Sequence, residues 1–355
     1  MRRLISPIII VGILILFTVQ ALSMFRSMEP VRAPEVGVFY TNLEKVCEEL
    51  SVGEMLSVES FRADGYVRPH QVVCCDGMIY CLGQSIDGVN WLYSFDPGNG
   101  QWIQLMSDAD VPNKSPESFW NDLQCVGGLL IWDQYEGKDD HVSDKRFCLN
   151  PVTGEEGAAA FRHGKIYEWN GKFYKFESKF HSNLVDLVAL NQSGKEKIVA
   201  KDLFRYQDSE MILDGMIGYL QGGGDWAFRY SMDEDKTADK LLIEGSRAPV
   251  IQSTADYMVC LEHDGRIFVY FYETGKTYCI RQADEDIPQK VKVELRNNGV
   301  WVIHNKKISL ITLPDLQLRT VETIGFTDYY ITEEGVLILC DRGGNRISVC
   351  EGNVH

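Results

Sequence analysis

The chain has 355 residues, 45% of them hydrophobic and 24% charged, enough to bury a substantial core, and no low-complexity tract interrupts it. With 51 acidic against 35 basic residues its formal charge is −16, which argues against a polyanionic partner such as nucleic acid, a class of ligand that needs basic surface.

Arg2 and Arg3 open the chain, ahead of a charge-free run of 19 residues from Leu4 to Leu22. A run of that length sits between an export signal and a single membrane anchor. Ala21, Leu22 and Ser23 include the small residues that a signal-peptidase site uses, and the arginines should stay cytoplasmic with the rest of the chain outside. No cysteine follows the run until Cys47, which argues against a lipoprotein signal. Residues 1–24 are therefore expected to be a signal peptide or a membrane anchor, and membrane contact is expected only through them. Residues 25–50 read as a linker and a short helix. Pro30 and Pro34 resist helix and sheet, Thr41-Asn-Leu-Glu44 is a capping box, and Leu43, Val46, Cys47 and Leu50 then recur at helical spacing.

From 51 to 355 the chain repeats a unit of two short apolar strands joined by a Gly turn. Val72–Tyr80 is the clearest copy, with relatives at Leu123–Trp132, Ile166–Tyr174, Met211–Tyr219, Glu294–Val302 and Tyr330–Ile338. A period of roughly 40–50 residues points to a β-propeller. Seven units can be drawn: Gln71–Leu105, Asp122–Phe161, Gly164–Ala200, Ser209–Glu244, Val250–Arg281, Lys290–Glu322 and Phe326–Cys350. The expected fold is all-β, a seven-bladed propeller, or a six-bladed one if unit one or unit two is wrongly split. Unit seven offers only three strands, which leaves an open edge and an unclosed ring. A strand from the N-terminal side would solve both problems, with Met55–Phe61 the first candidate and Val36–Tyr40 the second.

The ten cysteines of an exported chain invite a disulfide reading, but register opposes pairs within one unit. With Asp76-Gly77 as a two-residue hairpin, Cys75 faces Met78 and Cys74 faces Ile79. With 342–345 as a loop, Cys340 faces Ile347 rather than Cys350. Cys260 and Cys279 fall on strands two places apart, beyond the Cα spacing of about 5.5 Å that a disulfide wants. Most of the cysteines are expected to be small buried hydrophobes, and no C-x-x-C pair or Cys/His cluster has zinc spacing.

A four-stranded blade places its second-to-third loops and its crossovers on one face, around the mouth of the central channel, and loops on such a scaffold carry function. The longest insertions fall there: 106–120 between units one and two, 133–144 inside unit two, and 221–226 inside unit four. Trp120, Tyr135 and Trp226 would offer apolar faces while Asp133, Asp225 and Gln221 supply hydrogen bonds, a chemistry that suits carbohydrate or peptide. Asp139, Asp140, His141 and Asp144 are the acidic loop from which a hard-cation site would be built, but the run lacks the D-x-D-x-D-G spacing and its default is a solvated loop. No metal is assigned and no cofactor is expected. A hydrolase or lyase with paired carboxylates across the mouth is the third reading. No G-x-S-x-G, H-E-x-x-H or P-loop pattern supports nucleophilic, zinc or phosphate chemistry.

Trp91-Leu-Tyr-Ser-Phe-Asp-Pro97, followed by Gly98-Asn-Gly-Gln-Trp102, resembles a kelch-type blade in its order of aromatic, Asp-Pro, turn and Trp, over unit one. The recurring Gly-aliphatic-Tyr strands make the whole similar to the divergent extracytoplasmic propeller repeats of bacteria, of the TolB-like group. Ser85-Ile-Asp-Gly-Val-Asn-Trp91 is similar to the Asp-box of sialidases, though one residue short before the Gly and in a second-to-third loop rather than a third-to-fourth one. The resemblance implies the fold and a binding or scaffolding role, with no catalytic residues. The expectation is a non-catalytic recognition module outside the cytoplasm, for a carbohydrate, peptide or protein ligand. The alternatives are a carbohydrate-active enzyme at the channel mouth and a structural module of an envelope complex.

Overall fold

The computed structural model describes residues 50–351 except 54, 63–66, 110–117, 136–142, 160–163, 180–183, 192–194, 205–211, 222–225, 235, 243–249, 262–264, 282–290, 297–298, 305–306, 323–324, 333–334 and 342–344. The 1–24 segment, the linker and the helix expected before Leu50 lie outside the described residues. Among those described, no helix is long and apolar enough to cross a membrane, and every regular element is a β-strand.

The first hairpin of units one and three closes on a two-residue turn with both residues at positive φ: Asp76-Gly77 at 49° and 77°, Asn170-Gly171 at 50° and 67°. This turn matches the twist of a right-twisted ribbon, and Asp, Asn and Gly tolerate it. It fixes register: Cys75 pairs with Met78 and Cys74 with Ile79. At the other end of the chain Cys340 pairs with Ile347.

Backbone hydrogen bonds join the strands into six sheets. The expectation of seven separate blades is corrected in this respect. Units three (strands from Tyr167 to Phe204) and four (from Met216 to Leu242) share one seven-stranded sheet through the single pair Phe204–Leu220. The merger is not at units one and two, each of which forms its own four-stranded sheet. Packing still follows the units: an apolar core lies between each consecutive pair. A further core joins Ile338, Cys340 and Ile347 of unit seven to Val72, Ile79 and Phe95 of unit one, which closes the ring. A sheet between two neighbours is covered on both faces, so strands Ile267–Phe271 and Gly299–Ile303 are buried at every residue.

Closure uses the N-terminal side. Unit seven supplies Phe326–Ile331, Val336–Asp341 and Arg346–Glu351, and Ser57–Arg62 pairs antiparallel with the last of these as the fourth strand. That pairing covers an edge that would otherwise be open. Phe61 carries the closure sideways to unit one, its ring centroid 4.7 Å from that of Phe95. Ser51–Val52 pairs in parallel with the outer strand of unit six, Gln317–Glu322. Val36–Tyr40 lies outside the described residues.

Side chains on the innermost strands tie unit to unit. Gln71 Oε1 accepts from the Leu123 N–H at 2.9 Å, and Gln124 Oε1 from Ile166 at 2.8 Å. Gln252 Oε1 accepts from Leu295 at 2.6 Å while its Nε2 donates to the Val293 carbonyl at 3.0 Å. Across the closing seam Asp328 Oδ2 accepts from Val72 at 3.1 Å. A side-chain amide carries both a donor and an acceptor, so it stands in for the missing neighbour strand. A disulfide, Cys75–Cys125, joins the innermost strands of units one and two with Cα atoms 5.7 Å apart. It crosses units, where the register argument against pairs within a unit does not apply. Cys81, Cys260, Cys279, Cys340 and Cys350 are buried thiols, and Cys47 lies outside the described residues.

Candidate functional site

The innermost strands of units one and two, Arg68–Cys75 and Phe119–Val126, begin on the face that carries the 85–89 loop and the crossover from Asp108 to Ser118. Asn90 pins that crossover at both ends. It is fully buried; its Nδ2 donates to Asp108 Oδ2 at 2.6 Å and to the Ser118 carbonyl at 3.1 Å. Its backbone N–H donates to Asp108 Oδ1 at 2.8 Å, and its Oδ1 accepts from the Trp120 N–H at 3.2 Å. Buried amides persist when every polar group is paired, and here the pairing sets where Phe119 stands. His70 adds a bond from Nε2 to the Trp120 carbonyl at 2.9 Å. Burial holds its imidazole below the ordinary histidine value, partly offset by backbone hydrogen bonds to Trp120 and Arg68.

Between these strands lies a cavity of about 500 Å³ lined by Arg68, His70, Gln84, Ser85, Ile86 and Phe119. Arg68 pairs with Gln84 at the open ends of the first two strands of unit one. Residue 83 must be Gly here, because a Cβ would lie 2.5 Å from Val67 Cγ1 and push the incoming chain away. Arg68 is exposed and pairs with no carboxylate among the described residues. Ile86 is 70% exposed and adds apolar surface at the rim. Phe119 stacks on Tyr135, centroids 5.1 Å apart and planes at 17°. The walls thus supply one cation, an amide, a hydroxyl and apolar surface.

The sequence-predicted residues divide sharply. Trp120 does not present its ring at the mouth. It is 4% exposed and packs against Trp132 at 5.5 Å in the core between units one and two, which corrects its expected role as an apolar face for ligand. Asp133 is also corrected: it is fully buried and its carboxylate is held by Arg146 Nε at 2.7 Å. Tyr135 stays near the site through Phe119, and its hydroxyl donates to Asp122 Oδ2 at 2.5 Å. Burial, then this bond, push its phenol well above the ordinary tyrosine value. Gln221 and Trp226 are backbone partners across a hairpin of unit four. Asp144 falls in the strand Ser143–Leu149. Asp225, Asp139, Asp140 and His141 lie outside the described residues. No group of three His, Cys, Asp or Glu side chains able to hold a metal ion occurs among the described residues.

Arg68, His70 and Phe119 were not singled out by the sequence. Their signal was the pair of register breaks, Pro69 to Gln71 and Asn121 to Gln124, that hide the starts of both innermost strands.

Among solved structures, YCF48 bound to D1 peptide superposes with a TM-score of 0.52 at 8% identity, over 86% of this chain and 99% of that one. The chain is a β-propeller. The WD40 β-propeller domain of Doa1 gives 0.48 at 13% identity over 85% of this chain and 98% of that one. BamB from Moraxella catarrhalis gives 0.44 at 10% identity over 84% and 100%. No family model matches this propeller, and no curated protein matches it.

Proposed function

We propose that this propeller is a non-catalytic recognition module, working outside the cytoplasm, that holds a peptide segment of a protein partner in the cavity between units one and two. The observation that carries the reading is the cavity itself: a floor fixed by Asn90 and His70, an exposed Arg68, and Ile86 and Phe119 beside it. A peptide needs hydrogen bonds for its backbone and apolar surface for its side chains, and this wall offers both. A sugar wants an aromatic face laid open, whereas one face of Phe119 is already taken by Tyr135. The peptide bound to YCF48, a propeller of similar fold, supports the same use of the ring. The apolar run after Arg2 and Arg3 supports export or anchoring, as does the Cys75–Cys125 bond, which suits an oxidising compartment. The likeness of the strand repeats to TolB-like extracytoplasmic propellers points the same way.

The test is a screen of the full-length protein against peptide and glycan panels, followed by Arg68→Gln. Saturable peptide binding that weakens about tenfold in the variant supports the reading. Binding confined to glycans, or turnover of a glycan, overturns it.

A further inference from the structure

The face opposite the mouth carries the first and last turns of each unit. Between units five and six it holds a second cavity, of about 650 Å³. Its floor is aromatic. Tyr257 and Phe271 meet edge to face at 5.1 Å and 84°, and Phe271 and Tyr278 at 5.0 Å and 74°. Rings standing nearly at right angles form walls facing different directions, which is the arrangement of a box rather than a stack. Asp256 comes from the first turn of unit five, Glu273 from its last turn, and Asp315 from the last turn of unit six, and all of them line the same cavity. Among the described residues no Lys, Arg or His lines it. The field of these carboxylates is felt inside the box: the Tyr257 phenol is raised by burial first, then by Asp256, Glu273 and Asp315.

We infer that this cavity is a binding site for an alkylammonium cation, held over the Tyr257, Phe271 and Tyr278 rings and neutralised by Asp256, Glu273 and Asp315. The electron-rich ring faces attract a cation from within about 6 Å, and they do so best where water is partly excluded. An apolar cavity meant only to fill space gains nothing from carboxylates converging on it from separate turns, whereas an ammonium group with alkyl substituents satisfies both wall and rim. The acidic balance of the chain would draw such a cation in. The site differs from the mouth cavity in face, in sign of charge and in residues, so it stands whether or not the mouth binds peptide.

Two sources share this chemistry, a free quaternary amine and a lysine side chain on a partner, and two probes separate them. Choline and N-acetyl-lysine methylamide are titrated into the full-length protein by calorimetry, with 3,3-dimethylbutanol as the neutral isostere of choline. Saturable binding of either cation, at least about tenfold tighter than the isostere and weakened about tenfold by Asp256→Asn, Glu273→Gln and Asp315→Asn together, is the expected result. The tighter of the two cations names the source. These carboxylates are on exposed turns, so the variant should melt with the parent, and a matched melting curve is the control. Equal affinity for the isostere, no binding of either cation, or binding indifferent to the triple substitution overturns the assignment. So does binding that appears only when residues 41–49 are deleted, because the cavity would then belong to the chain's own segment before Leu50.

Discussion

Arg146 closes on Asp133 through two hydrogen bonds, Nε to Oδ1 at 2.7 Å and Nη2 to Oδ2 at 3.2 Å, with neither residue more than 7% exposed. Its Nη2 also donates to the Gly164 carbonyl at 2.9 Å, which carries the pair from unit two to unit three. A bidentate guanidinium–carboxylate pair is tolerated in a core because the two charges offset each other there, and removing one takes the opposite charge away from a carboxylate that stays buried. Arg146→Met should therefore destabilise the protein by about 3–5 kcal/mol in urea denaturation. The double variant Asp133→Leu, Arg146→Met should recover much of that loss. An additive double variant would mean the two side chains act independently.

Trp120 gives the second prediction. Its ring lies in the core between units one and two, against Trp132 and away from solvent. Truncation of a buried aromatic costs its transfer energy and leaves a cavity, so Trp120→Ala should lower stability by about 3–5 kcal/mol. A melting temperature that stays with the parent would return Trp120 to the surface and to the ligand.

Trp120 looks like a loop residue in the sequence for a physical reason. A strand announces itself by alternation, and alternation fails at a bulge. The innermost strand of unit two starts at Phe119, but its register breaks between Asn121 and Gln124, with Asp122 at a φ of 56°. The break makes Asp122 look like the start of the strand and puts Trp120 in the crossover. Pro69 and His70 hide the start of unit one in the same way. The burial of Asp133 is hidden for another reason. Its partner Arg146 is directly opposite on the next strand, yet 13 residues away in sequence, a separation that conceals the pairing. By contrast, the Asp76-Gly77 turn fixes register within two residues, and the missing fourth strand of unit seven calls for a donor that only the N-terminal side has to give. Local chemistry and unmet pairing are legible; contacts made by folding distant loops together are not. The merging of units three and four rests on the one pair Phe204–Leu220, which no sequence pattern marks.

The disulfide joins positions 50 residues apart, Cys75 and Cys125. In the chain-entropy account, closing a loop of that size removes about 4 kcal/mol of freedom from the unfolded state. Peptide mapping without reductant should recover the 75–125 pair. Reductant should lower the urea midpoint of the parent and leave that of Cys125→Ser unchanged. A parent indifferent to reductant would show that the bond does not form.

Asp328 sits on the seam that closes the ring, accepting the Val72 N–H of unit one, with the thiols of Cys81 and Cys340 packed in the neighbouring core. Burial lifts its carboxyl to about 6, against the pull of the Val72 and Tyr329 N–H groups and of Lys292. A folded-state value above the unfolded one means that the fold prefers the protonated acid. The contribution of Asp328 to stability is thus fully present below about pH 4 and is lost as the pH rises through about 6, where the seam must hold a charge with little water around it. The size of that loss is about 3 kcal/mol. Asn at this position keeps an oxygen for the Val72 N–H and carries no charge at any pH. Asp328→Asn should therefore gain on the parent between pH 4 and pH 7, by up to that amount, when urea midpoints are compared at each pH. A difference between variant and parent that is constant across this range would mean that the carboxyl titrates as it does in the unfolded chain, and that the seam is indifferent to its charge.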